Sequence, residues 1–179
     1  MASKVSVTSK AHLGPLSLTT YSKALKRSME VPAYDYYQIK IADSGVKCIA
    51  VNGKSAQHFS RPVTLNKLPK LYVVKNVRDI YYVGITTQSI TSRLQSGFSA
   101  QGEQGYHGYK WKNLDSAELL IWCFPDSNAE QMEAIEGELA YYVRKTTKNW
   151  PLFQMEIHFH NATEEERRIA RSILDQCLE

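Results

Sequence analysis

The segment Leu71-Tyr72-Val73-Val74-Lys75-Asn76, with Tyr82-Val83-Gly84 and Arg93-Leu94 after it, carries the strongest structural signal in this 179-residue chain. Two apolar runs, Leu71 to Val74 and Ile80 to Ile85, flank Lys75-Asn76-Val77-Arg78-Asp79. Both runs are rich in β-branched and aromatic residues and the linker has polar turn character, so a β-hairpin is expected. A polar stretch from Thr86 to Ser92 then leads into a helix that carries Arg93. Such a unit can bring two phenols and a guanidinium together beside one phosphate.

Downstream, Gly97 to Gly108 reads as a loop rich in glycine and glutamine, ending in Tyr106-His107-Gly108-Tyr109-Lys110-Trp111. Glu118 to Phe124 is a third apolar segment, expected to be a strand. Ser127 followed by Glu130 has the pattern of a capping box. The stripe Met132, Ile135, Leu139 and Val143, spaced by three and four, predicts an amphipathic helix after it. Pro151 ends that region, Leu152 to His160 reads as extended, and Thr163 with Glu166 caps a last helix through Ile169, Ile173 and Cys177.

Upstream, residues 1–17 show no clear period and read as an arm or loop. Thr19 and Thr20 are placed to cap a short helix over Tyr21 to Met29, which clusters Lys23, Lys26 and Arg27, with Pro32 breaking the chain after it. Tyr36 to Ile41 and Val46 to Val51 alternate about Asp43-Ser44-Gly45, a second hairpin. Gly53 to Pro69 is polar and interrupted by prolines, which puts a boundary between an extension, 1–68, and a core, 69–179. The fold class expected is mixed α/β (α+β): a small antiparallel three-stranded sheet flanked by helices, plus an N-terminal helix and hairpin.

The chain has no apolar stretch of eighteen residues and its first ten are polar and basic, which argues against a membrane span and against secretion. Three widely spaced cysteines, Cys48, Cys123 and Cys177, show no zinc-binding spacing, so reduced thiols and a cytoplasmic location are expected. The net charge of +4 conceals a division: thirteen Lys/Arg against four Asp/Glu up to Asp79, and nine against fourteen after it. A basic first half suits an anionic partner, of which DNA or RNA is the foremost.

Phosphodiester hydrolysis needs an oriented water, neutralisation of transition-state charge and help for the leaving oxygen. A tyrosine can serve as a general base if its phenolate is stabilised, or can orient the water; an arginine can bridge two phosphate oxygens with its planar fork, and a carboxylate can hold a divalent ion. With Tyr72 and Tyr82 ten positions apart and Arg93 eleven further on, the chain resembles the GIY-YIG nuclease superfamily over roughly Lys70 to Lys148. The resemblance implies a catalytic set of Tyr72, Tyr82, Arg93 and a helix glutamate, acting with one divalent metal ion, Mg²⁺ or Mn²⁺ as its substitute. Glu130, Glu133, Glu136 and Glu138 share that helix. Glu136 falls on the edge of the buried stripe and is the expected metal ligand, while Glu138, two positions on, is expected to face solvent and is the fallback ligand.

Two departures from the family pattern stand out. Lys70 and Leu71 occupy the place of the opening glycine. Many members also carry a histidine or tyrosine one turn after the arginine, where this chain has Gly97; Tyr106, His107 and Tyr109 are the substitutes at hand, and His107 is the one chosen. Tyr81 is expected on the sheet face opposite Tyr82. His158 and His160 share one face of an extended segment, too few alone for a metal site.

The resemblance is nearest to the small type II restriction enzymes of the superfamily, aided by the stretch from Trp150 to His160. It implies a metal-dependent endonuclease acting on double-stranded DNA as a homodimer, with no membrane and no small-molecule cofactor involved. Lys23, Lys26, Arg27 and Lys110 are its expected DNA contacts. The rival readings are a non-catalytic nucleic-acid-binding protein, which Gly97 favours, and a repair or mobile-element nuclease acting on branched or nicked DNA.

Overall fold

The computed structural model describes residues 29–42, 45–102 and 107–179. Strand β4 (Lys70–Lys75) pairs antiparallel with β5 (Ile80–Thr86), the hairpin expected from the two apolar runs. Asn76 builds the turn: its side-chain oxygen accepts from the backbone N–H groups of Arg78 (2.7 Å) and Asp79 (2.6 Å). The ladder steps from Val74↔Tyr82 to Lys75↔Ile80, leaving Tyr81 as the extra residue of a β-bulge. The expectation for Tyr81 therefore fails. The bulge interrupts the alternation, and Tyr81 and Tyr82 both pack with the cluster that contains Tyr72.

The three-stranded sheet is also corrected, to six antiparallel strands in the order β3-β2-β1-β6-β4-β5. Here β1 is Tyr34–Ala42, β2 Gly45–Val51, β3 Lys54–Ser55 and β6 Ser116–Cys123. The expected N-terminal hairpin is β1 and β2, and β1 docks on β6 from Tyr34↔Trp122 to Lys40↔Ser116. Strand β6 is bonded on its other side to β4. The extension and the core thus share one sheet across residue 68. The reason lies in β6, whose run Leu119–Trp122 is buried throughout and needs a partner on both edges.

Helices cover both faces. On one, α2 (Ala129–Thr147) and α3 (Glu164–Leu178) enclose Leu71, Val73, Leu120, Trp122, Ile135 and Leu139. Full burial of an aliphatic side chain such as Ile135 or Leu139 stabilises by about 2 kcal/mol. On the other face, α1 (Ile90–Ser99) and the loop bearing Phe59 and Val63 lie over Tyr37, Ile39, Tyr72, Val74 and Ile121. The α3 cap is the expected Thr163–Glu166 box. The α2 box is Asn128 with Gln131, one residue later than Ser127 with Glu130. Ser127 instead turns its hydroxyl to the Met29 sulfur, at 3.4 Å.

Lys70 is fully buried and its ammonium donates to the carbonyls of Leu65 (2.7 Å), Leu68 (2.7 Å) and Gln88 (2.8 Å). It ties the entrance of β4 to the loops on either side of it. Leu152 to His160 forms no strand, but its first residues cover the open edge of β5. Leu152 N–H donates to Ile80 O (3.1 Å), Phe153 N–H to Tyr81 O (2.8 Å), and Val83 N–H to Gln154 Oε1 (3.0 Å). Among the described residues, no helix is long and apolar enough to cross a membrane.

Candidate active site

Tyr72 stands opposite Gly84 in the β4–β5 ladder. A Cβ at Gly84 would come within 2.6 Å of the Tyr72 ring and of Tyr82, so the glycine is what lets both phenols lie over the strand. The Tyr72 and Tyr82 ring centres are 6.0 Å apart. Tyr72 is wholly buried, whereas Tyr82 reaches a cleft.

From α1, Arg93 donates through Nε to the Tyr72 hydroxyl at 3.3 Å. Ser89 caps the helix by accepting from Ser92 N–H, which fixes the turn on which Arg93 sits. One helical turn on, Gly97 has no side chain, and Tyr109 fills the space from the loop. Its hydroxyl lies 2.8 Å from that of Tyr72, and Arg93 Cζ stands 5.6 Å from its ring centre. Tyr109 also stacks on Trp111 and meets Tyr82 and Phe98 edge-on. Two buried phenols and a half-buried guanidinium thus form one polar array.

His107, the substitute chosen from the sequence, is not part of this array. It is exposed, with its ring against the backbone at Gly102. Gly108, at φ +71°, turns the chain after it, and Tyr109 lies inward. Tyr106 lies outside the described residues, as do Lys23, Lys26, Arg27 and the expected helix before Met29. Lys110 is exposed in a short 3-10 turn, Lys110–Asn113, directly after Tyr109.

Glu136 approaches from the opposite sheet face, over the edge of β5. It lines a cleft of about 180 Å³ together with Tyr82, Gly137, Ala140, Gln154, Glu156, Ile157 and His158. Burial pushes its carboxyl up to about 7, against the pull of the Arg93 guanidinium and a hydrogen bond from the Ile85 backbone; nearby Glu133 pushes the same way as burial. Gly137 lets the segment after Pro151 close this cleft, since a Cβ there would stand 2.8 Å from His158 O. Glu138 does not face open solvent. It is largely covered and pairs with Arg167 of α3 at 3.5 Å, so it serves the α2–α3 contact.

Burial also drives the Tyr72 phenol well above its ordinary pKa, with the Tyr109 phenol adding to the rise and Arg93 opposing it. Tyr72 therefore keeps its proton and is suited to holding its neighbours rather than to acting as a base. Tyr82, which borders the cleft beside Glu136, is the phenol placed to meet a water.

The residues present suit one hard divalent cation of the Mg²⁺ type. Glu136 is a desolvated carboxylate whose charged form lacks solvation, and a cation supplies the missing stabilisation. Mg²⁺ keeps several waters and takes one or two carboxylates plus substrate phosphate, so a single protein ligand is enough. Among the described residues no group of three His, Cys, Asp or Glu is arranged to hold a metal. His158 and His160 diverge to separate carboxylates, Glu156 at 3.7 Å and Glu133 at 3.6 Å.

Comparison with known proteins finds no matching family model, no matching characterised protein and no matching solved structure.

Proposed function

We propose that this protein is a metal-dependent endonuclease that hydrolyses phosphodiester bonds of double-stranded DNA, with a site of GIY-YIG type and a restriction-like role. The observation that carries the reading is the array Tyr72–Tyr109–Arg93, whose guanidinium lies near enough to Glu136 to pull on its carboxyl. Tyr72 and Tyr109 hold the guanidinium, whose fork can bridge two phosphate oxygens and offset charge as it builds in the transition state. Tyr82 orients the attacking water from the cleft wall. Glu136 would hold Mg²⁺, or Mn²⁺ in its place, which supplies charge neutralisation at the scissile phosphate. One such site cuts one strand, so a homodimer is the form expected to cut both.

The test is cleavage of supercoiled plasmid and phage genomic DNA in Mg²⁺ or Mn²⁺ by wild type, Arg93→Ala and Glu136→Ala. Discrete fragments from wild type alone are expected. Random nicking would keep the nuclease and overturn the restriction role. Absence of cutting, with DNA still bound, would leave a non-catalytic binding protein.

A further inference from the structure

Among the described residues, charge differs between the two faces of the sheet. The face opposite α2 and α3 is covered by three segments, 53–69, 87–102 and 107–114. Together they contain Lys54, Arg61, Lys67, Arg93, Lys110 and Lys112 and not one Asp or Glu. The other face is built from α2, with four glutamates against Arg144 and Lys145, and from α3, with four acids against three arginines. Lys54, Arg61, Lys67 and Lys110 are exposed, and neither they nor Lys112 forms an ion pair with any described residue.

The loop 53–69 is held rigidly beside the candidate site. Val63 is fully buried, and its carbonyl accepts from Ile90 N–H at 3.0 Å. Asn66 accepts from Ser89 N–H at 2.8 Å, and Lys67 N–H donates to Thr87 O at 2.6 Å. These bonds pin the loop to the start of α1, the helix that carries Arg93. Arg61 and Lys67 thus flank α1, which carries Arg93 into the array, and the described residues of the three segments hold no carboxylate to repel phosphate.

We infer that this loop is a second DNA-binding element, in which Arg61 and Lys67 grip the phosphate backbone of duplex DNA and lay it across α1 towards Arg93. The inference rests on the nuclease reading for its partner but not for its location. A polyanion with regular charge spacing gains from several unpaired cations on one face, through release of its condensed counterions. The contacts carry no base information and set the position of the duplex rather than its sequence.

The experiment measures binding of a 30-base-pair duplex in Ca²⁺ buffer across a salt series, for wild type, Arg61→Ala/Lys67→Ala and, on the opposite face, Lys145→Ala. The slope of log affinity against log salt is expected to flatten by about 2 for the loop variant, near one per lost phosphate contact, and to stay unchanged for Lys145→Ala. Plasmid cleavage by wild type is read in parallel. Cutting by wild type with equal slopes for all three proteins would overturn the inference and spare the nuclease. A flattened slope without cutting would keep the surface and remove the reaction. Absence of duplex binding by wild type would overturn both.

Discussion

The ring of Tyr109 occupies the space in which a side chain on Gly97 would begin: a Cβ at Gly97 would lie 2.0 Å from Tyr109 Cε2. One residue lacks a side chain so that the other can deliver a hydroxyl to Tyr72. Gly97→Ala must therefore push the ring out, at a cost of about 1–3 kcal/mol for overpacking. In the double variant with Tyr109→Ala the methyl group has room. Urea unfolding of the two singles and the double is expected to give a coupling above about 1 kcal/mol. Additive losses would mean that the two positions do not compete for space.

Tyr109→Phe keeps the ring and its packing and removes only the hydroxyl. The same holds for Tyr72→Phe. Each should lower the free energy of unfolding by about 1–3 kcal/mol, because a buried polar partner is left without its hydrogen bond. Each should also lower kcat by about 100-fold, since Arg93 loses part of its support. KM is expected to stay near the wild-type value. A KM rise with unchanged kcat would make the two phenols substrate contacts instead.

Glu136 ties stability to pH. Between its ordinary value of 4.5 and about 7, the folded protein keeps a proton on this carboxyl that the unfolded chain has released. Stability accordingly falls as pH rises through that window, by up to about 3 kcal/mol from this group. Glu136→Gln should abolish the fall, and Mg²⁺ should offset it in wild type at pH 8 while leaving Glu136→Gln unaffected. Thermal melts at pH 5 and pH 8, with and without Mg²⁺, check both statements. An identical pH profile in Glu136→Gln would show that the desolvated charge lies elsewhere.

Lys70→Met would leave the carbonyls of Leu65, Leu68 and Gln88 without their donor inside the protein. The expected loss is about 3 kcal/mol or more in denaturant unfolding. Amide exchange should quicken first in residues 65–68, where two of the three acceptors sit. Uniform destabilisation with no local signature would argue against the ammonium as the tie.

The parts legible in the sequence were those with a local period. The β4–β5 hairpin, β6, the α2 stripe from Met132 to Val143 and the α3 capping box all follow from spacing within a few residues. The α2 cap shifted by one because Ser127/Glu130 and Asn128/Gln131 offer the same pattern one step apart, and backbone geometry chose the second. Tyr81 was misplaced because a bulge leaves no mark in a run of apolar residues. The union of β1 with β6 depends on residues about eighty apart, yet a signal existed: Leu119-Leu120-Ile121-Trp122 does not alternate, as a strand buried on both faces need not. For the site, Tyr72, Tyr82 and Arg93 came from the resemblance to a known nuclease motif, while choosing Tyr109 over Tyr106 and His107 required the path of a loop. Its one clue was a glycine in mid-helix, a residue that weakens a helix unless something must approach it closely.

Strand β6 is the last of the six strands to be made, but it lies inside the sheet, between β1 and β4. During synthesis the first hairpin and the second therefore emerge with no bond between them, each with an apolar edge unsatisfied, until Ser116–Cys123 arrives to join them. Such late closure is slow, because a long loop must be ordered before the pairing rewards it. A ribosome stalled before residue 116 would hold two half-sheets open to misassociation, and release beyond residue 123 would let them zip together around the last strand.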